Sequence, residues 1–131
     1  MPSYDLRTAA FVVRAPKKWV DNVTSHHVLQ GVDSRKRGVR REFSFEAVVL
    51  LAVVRSMIDE LGVPVRRAVE VAEQALRNAD GSVSFPSGAS FSIEQELVVR
   101  DVRQRLLEAA ESVPRIHRGR PPRHQNRPTA F

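Results

Sequence analysis

The sequence predicts a mainly α-helical fold with a short β wing and a C-terminal helix. Two observations carry this prediction: apolar residues recur every three or four positions in several segments, and glycine or proline separates those segments. With 131 residues, the chain has the length of about one domain. We expect residues 1–80 to form that domain, residues 81–113 a connector and the C-terminal helix, and residues 114–131 a tail.

Two helices are predicted in the N-terminal part. The segment Tyr4–Val13 fits a short helix by the spacing of its apolar residues, although Phe11–Val13 also suits a strand. Proline fixes φ and lacks an N–H, so a second helix is expected to begin at Pro16 and to run to Leu29. Trp19 and other apolar residues lie on one side of this helix, and polar residues lie on the other.

The next segment predicts a wing followed by a long helix. Gly31 ends the second helix, and Gly31–Phe43 has the length and punctuation of two short strands around a basic tip. Ser44 is a good N-cap for a helix from Phe45 to Leu61. The run Ala47–Val54 within this helix contains enough β-branched residues for a buried strand, but the apolar pattern continues for longer than a typical strand.

Two further helices are predicted towards the C-terminus. Val65–Leu76 carries a clear apolar stripe at helical spacing. The turn-rich stretch Gly81–Phe91 predicts a small hairpin or an ordered loop. Ser92 is expected to begin the last helix, with Gln95 completing a capping box, and this helix is expected to end near Val113.

The net charge of +6 is unevenly distributed along the chain. Residues 1–43 carry a net charge of +5, residues 44–113 carry −4, and residues 114–131 contain five arginines and no acid. This asymmetry predicts two basic contact surfaces around a scaffold, and basic surfaces attract polyanions. Hydrophobicity falls sharply after residue 113, so we expect a tail that is disordered in isolation.

Several functional classes have little support in the sequence. The chain has no cysteine, and the neighbouring His26 and His27 diverge by about 100 degrees on a helix. Neither a Gly-rich phosphate loop nor a nucleophile elbow occurs. We therefore expect no metal site, no cofactor and no enzymatic activity. The longest apolar run, Ala47–Val54, is shorter than the ~20 residues of a membrane span, and no signal sequence is evident, so we expect a cytoplasmic protein.

The second helix and the wing carry residue types that recognise nucleic acid. Lysines bind phosphates, whereas amide, hydroxyl and imidazole groups form hydrogen bonds with base edges when a helix enters the major groove. Taken alone, the second helix could be a simple amphipathic surface helix, and the basic turn could serve solubility. Because the two elements are adjacent, DNA binding explains them better together. The predicted DNA contacts are Arg14, Lys17, Lys18, Asn22, Ser25, His26, Arg35, Lys36, Arg37, Arg40 and Arg41.

Two short motifs flank the helix that follows the wing. Arg41-Glu42-Phe43-Ser44 opens this helix, and Leu61-Gly62-Val63-Pro64 closes it before another helix. With the order helix, turn, helix and wing, these motifs resemble the winged helix-turn-helix of MerR-type regulators, in which Arg-x-Tyr/Phe-Ser/Thr ends the wing. The resemblance covers about residues 4–77. It implies a sequence-specific regulator of transcription that binds double-stranded DNA.

The resemblance also implies a homodimer, because family dimers pair through a helix that follows the DNA-binding part. The alternative is a monomer that buries its C-terminal helix internally. In the tail, Arg118-Gly119-Arg120-Pro121 resembles the core of an AT-hook, which places arginines in narrow A·T minor grooves. Arg118 and Arg120 are therefore further candidate DNA contacts. A generic basic tail that binds any polyanion is the alternative.

Two other functions compete with the DNA-binding regulator. One is a protein-interaction module, such as a DNA-binding antitoxin or an adaptor, that holds a partner through its C-terminal helices. The other is an RNA-binding protein. It has less support because single-strand readers display several stacking aromatic residues, and few aromatic residues lie near the basic elements of this sequence.

Overall fold

A computed structural model describes residues 2–33 and 41–112. The predicted wing tip and tail lie outside the described residues, as do Arg35, Lys36, Arg37, Arg40, Arg118 and Arg120. The described part is mainly helical, as the sequence predicts, and it contains two small antiparallel sheets. Its elements are α1 (Leu6–Val13), α2 (Lys17–His26), β1 (Val32–Asp33), β2 (Glu42–Phe43), α3 (Phe45–Leu61), α4 (Val65–Arg77), β3 (Ser82–Ser84), β4 (Ser90–Ser92) and α5 (Gln95–Ser112).

The first helix begins two residues later than predicted. Tyr4 forms a bridge with Phe43, in which each backbone N–H donates to the other residue's carbonyl at 2.9 Å. This pairing holds Tyr4 in extended conformation, so α1 begins at Leu6. Asp5 caps the helix, because its carboxylate accepts a hydrogen bond from the backbone N–H of Thr8 at 2.9 Å.

A tight turn at Arg14 joins α1 to α2. Arg14 adopts the left-handed conformation, with φ of 66°, and Pro16 precedes the first turn of α2. The prediction that α2 extends to Leu29 is wrong, because the helix ends at His26. The chain then becomes extended, which turns Leu29 into the core and leaves the side chain of Val28 99% exposed.

The two short strands predicted over Gly31–Phe43 are confirmed where the structure describes them. β1 and β2 pair antiparallel, with Val32 opposite Phe43. At the base of the wing, the N–H of Ser44 donates to the carbonyl of Gly31 at 2.8 Å. Gly31 has φ of 90°, and a Cβ at this position would overlap Ser44 Oγ. The base of the wing therefore requires glycine for its backbone conformation and for its close approach to α3.

α3 has the predicted boundaries and forms the centre of the fold. Ser44 Oγ accepts a hydrogen bond from the N–H of Ala47 at 3.1 Å, and Gly62 ends the helix in left-handed conformation. The helices α1, α4 and α5 all contact α3. Its largest completely buried side chains are Val48, Leu51 and Val54.

The segment after α4 forms a hairpin, which settles one of the alternatives left by the sequence. β3 and β4 pair antiparallel, with Ser82 opposite Ser92. The predicted helix start at Ser92 is therefore wrong, and α5 begins at Gln95. Instead of completing a capping box, the side-chain amide of Gln95 donates to the carbonyls of Ala75 and Asn78, at 3.2 and 2.8 Å. These bonds tie the start of α5 to the end of α4.

α5 packs against α1 and α3 within the same chain. Val102 and Ala109 on its inner side are each 1% exposed, and they join one core cluster that includes residues of α1, α3 and α4. The guanidinium group of Arg105 donates to the carbonyls of Phe11 and Val12, at 3.0 and 3.1 Å. It thus satisfies carbonyl groups at the C-terminal end of α1, just before the turn that leads to α2.

Candidate nucleic-acid interface

The first turn of α2 has the electrostatic character of an anion-binding helix terminus. The first N–H groups of a helix have no partner within the helix, and they lie at the positive end of its dipole. Pro16 provides no side-chain cap, the turn has no acidic residue, and the side chains of Lys17 and Lys18 are exposed. Two cations at the positive end of a helix are unfavourable in the free protein. A phosphate group at this position would relieve their repulsion.

The exposed side of α2 collects groups that form hydrogen bonds. Lys18, Asn22, Ser25 and His26 lie three or four residues apart, so they share one side of the helix, and all four are exposed. Nδ1 of His26 donates to the carbonyl of Asn22 at 2.8 Å. This bond orients the imidazole along the helix and leaves Nε2 available. Within the described residues, the side-chain amide of Asn22 forms no hydrogen bond, so its donor and acceptor can both read a base.

Three side chains join the base of the wing to α2, and we name them the Asp21–Arg41 clamp. One guanidinium nitrogen of Arg41 forms an ion pair with the carboxylate of Asp21. The other donates to Ser25 Oγ at 2.7 Å, and Ser25 Oγ donates to the carbonyl of Asp21 at 2.8 Å. The clamp brings together two of the predicted DNA contacts, Ser25 and Arg41. In the free protein, both are already bound to groups of the chain itself.

A second contact fixes the first turn of α2 against α3. The guanidinium carbon of Arg55 lies 4.9 Å from the centre of the Trp19 ring, within cation–π distance. Arg55 is held there by Asp59, whose carboxylate accepts a hydrogen bond from Nε at 3.0 Å. Trp19 is half-buried in this position. The start of α2 is therefore held against α3, while Lys17 and Lys18 remain accessible.

The remaining predicted contact, Arg14, lies in the turn before α2 with an exposed side chain. The structure places it next to the first turn of α2 along the chain. It forms no hydrogen bond or ion pair through its side chain within the described residues. Arg14 is thus available to a phosphate beside the lysines, and its role in DNA binding stays a prediction.

The sequence analysis missed two residues of this surface. Asp21 is the only acidic residue of α2, and a single carboxylate among bases is a signal that it holds one of them. Val28 is the most exposed of the large apolar residues that the structure describes, and it lies two residues after the end of α2. The sequence placed Val28 inside the helix, so nothing in the apolar pattern marked it as exposed.

The chain matches no protein-family model, and comparisons with curated proteins and with solved structures found no match. The likeness to MerR-type regulators therefore rests on the motifs and on the order of the elements. Within residues 2–33 and 41–112, no three His, Cys, Asp or Glu side chains are grouped so that they could hold a metal ion. In the same residues, no helix has the length and apolar character needed to cross a membrane.

Proposed function

We propose that this protein is a sequence-specific regulator of transcription that binds double-stranded DNA through a winged helix-turn-helix. In this proposal α2 enters the major groove, and the wing contacts the phosphate backbone or the minor groove. The observation that carries the proposal is the exposed side of α2. This side combines an uncapped, doubly basic first turn with Asn22 and His26, and Asp21 holds Arg41, the residue before β2, beside it.

The dimensions and chemistry of α2 suit this role. Its 10 residues give a length of about 15 Å, and the diameter of an α-helix, about 10–12 Å, fits the width of the major groove, about 12 Å. An asparagine amide matches the N6 and N7 groups of adenine, and an imidazole can donate to or accept from a base edge. Lys17 and Lys18 at the start of the helix would meet phosphates and set its register.

A salt titration of the full-length chain tests this proposal. Fluorescence anisotropy with a labelled duplex gives the slope of log K against log salt, which is about −0.9 for each phosphate neutralised. Replacing both Lys17 and Lys18 by alanine should make the slope less negative by about 1.8. Arg100→Ala, which removes an exposed charge from α5, should leave the slope unchanged. Equal slopes for the double variant and the wild type would show that α2 does not meet DNA through its first turn.

The outer side of α5 supports a second part of the proposal, that two copies of the chain form a dimer. Leu97 and Leu107 are 47% and 66% exposed, although the inner side of the same helix is buried. In this proposal a second copy covers them. Sedimentation analysis should then show a dimer for the wild type and a monomer for Leu107→Glu, whereas Leu61→Glu, at another exposed leucine, should remain dimeric. A monomeric wild type would instead favour an antitoxin or adaptor that holds a different protein on α5.

A further inference from the structure

The β3–β4 hairpin presents the backbone groups of four serines outwards. In an antiparallel pair, hydrogen-bonded and non-hydrogen-bonded residue pairs alternate. Phe85 donates to the carbonyl of Ala89 at 2.9 Å, and Ile93 donates to the carbonyl of Gly81 at 2.9 Å, which sets the phase of the alternation. The N–H and C=O groups of Ser82 and Ser84 in β3, and of Ser90 and Ser92 in β4, therefore point away from the hairpin.

The two edges of this hairpin differ in how they are covered. On the β3 side, the N–H of Ser82 donates to the carboxylate of Asp80 at 3.1 Å, which also holds the pKa of that carboxyl below its usual value. The carbonyl of Ser82 accepts a hydrogen bond from the side chain of Asn78 at 2.7 Å. On the β4 side, the outward groups of both serines, Ser90 and Ser92, have no partner within the described residues, whereas on the β3 side only those of Ser84 lack one. The β4 edge is therefore open to a further strand.

An apolar groove adjoins the open edge. It has a volume of about 260 Å³ and lies between α3, β4 and the first half of α5. Its floor is formed by Val53, Met57 and Val102, which are buried, and Phe91 and Ile93 form its wall on the strand side. The groove is large enough for one or two apolar side chains, and it is smaller than the roughly 300–1,000 Å³ of sites for drug-sized ligands.

The rim of the groove is acidic. Glu60 on α3 and Asp101 on α5 both line it, both are exposed, and no basic residue lines it. Within residues 2–33 and 41–112, neither carboxylate forms an ion pair. The field of two unpaired carboxylates favours a cation beside the apolar floor.

We propose that the β4 edge and this groove bind an extended segment of a partner protein, which pairs with β4 as a third strand. Such a segment places an apolar side chain in the groove and a lysine or arginine at Glu60 and Asp101. The backbone groups of Ser90 and Ser92 supply up to four hydrogen bonds for pairing, and the groove and its rim supply the preference for basic, apolar sequences. This site is independent of α2 and the wing, so its failure would leave the proposed DNA binding untouched.

A peptide titration of the full-length chain tests the site. The probe is a capped five-residue peptide with valine at its centre, a threonine on either side and lysine at both ends, so that valine and the lysines share one face of the strand. Its binding is followed by amide shifts in ¹H–¹⁵N NMR spectra of the protein. A peptide with glutamate in place of lysine serves as its control. We expect saturable shifts that are centred on β4 and on the groove, and no binding of the acidic peptide. Glu60→Gln and Asp101→Asn should each weaken binding about 2–5-fold, and Glu111→Gln, at an exposed acid near the end of α5, should have no effect.

A proline scan separates strand pairing from simple contact with the groove. Ser92→Pro removes an outward N–H of β4 without touching the bonds between β3 and β4, so it should weaken the peptide about 3–10-fold. Ser84→Pro makes the same change on the β3 edge and should leave the affinity as in the wild type. Equal effects of the two prolines, or shifts scattered over the surface, would overturn the proposal. Shifts of the groove signals on simple dilution of the protein would also overturn it, because they would show that a second copy fills the site.

Discussion

The Asp21–Arg41 clamp predicts that one substitution lowers the stability of the fold and raises its affinity for DNA. In the free protein, Asp21 forms an ion pair with Arg41 and so neutralises its charge beside α2. Asp21→Asn keeps the shape of the side chain but removes its charge. The substitution should therefore weaken folding slightly, while it frees a positive charge at the surface that is proposed to bind DNA.

The two effects differ in size. The side chains of Asp21 and Arg41 are 49% and 22% exposed, so their ion pair belongs with surface pairs and is worth at most about 1 kcal/mol. For a domain of this size, such a loss lowers Tm by at most about 4–8 °C. One additional phosphate contact makes the salt slope more negative by about 0.9 and tightens binding up to about 8-fold at about 100 mM salt. All duplexes gain alike, so the ratio of the affinity for a specific site to the affinity for random DNA should stay unchanged.

The test is a pair of anisotropy titrations at several salt concentrations, with a thermal melt of the same samples. Glu70→Gln is the matched control. It breaks an exposed ion pair with Arg67, at 3.1 Å on α4, and removes the same charge. It should leave the salt slope unchanged. A slope for Asp21→Asn equal to that of the wild type would refute the reasoning, because Arg41 would then lie away from the phosphates whether or not it is clamped.

Three further predictions concern the roles of single residues. Asn22→Ala should relax sequence preference, whereas Arg37→Ala should weaken binding to all duplexes alike; equal loss of preference in both variants would contradict these roles. Gly31→Ala should destabilise the fold by at least about 3 kcal/mol in urea unfolding, because the new Cβ adds an overlap to the strain of a positive φ. Gly62→Ala, with a positive φ and open space, should cost only about 1–2 kcal/mol, and equal costs would refute the overlap. Arg105→Met should lower the free energy of unfolding by about 1–3 kcal/mol, because it leaves the carbonyl of Val12 without its donor and the carbonyl of Phe11 with the N–H of Arg14 alone; an unchanged urea midpoint would show that solvent replaces the bonds.

The sequence predicted the elements whose ends depend on local groups. Ser44 and Gly62 mark the two ends of α3, and the structure places the helix between them. The length and the glycine punctuation of Gly31–Phe43 likewise indicated the two short strands of that segment. The exposed side of α2 follows from helical spacing alone, so the sequence is sufficient to predict that Asn22 and His26 are exposed.

The errors arise where distant residues decide the structure. Leu29 leaves the predicted helix because it packs in the core, and Ser92 becomes a strand residue because it pairs with Ser82. The Asp21–Arg41 clamp joins a helix to the residue before β2, and no local pattern specifies such a contact. Helical spacing therefore predicted which residues of the candidate interface are exposed, but it did not predict which of them are already bound to each other.

Selection of bound sequences from a pool of random duplexes, with the full-length chain, tests the central claim most directly. The account predicts enrichment of one site with two inverted half-sites, whose centres lie about 10–10.5 base pairs or a multiple apart, as expected for two copies of α2 in successive major grooves. The same selection with Asn22→Ala should give a weaker consensus. Retention of the pool without enrichment of any sequence would contradict the account, because it would show a basic protein that binds DNA without reading it.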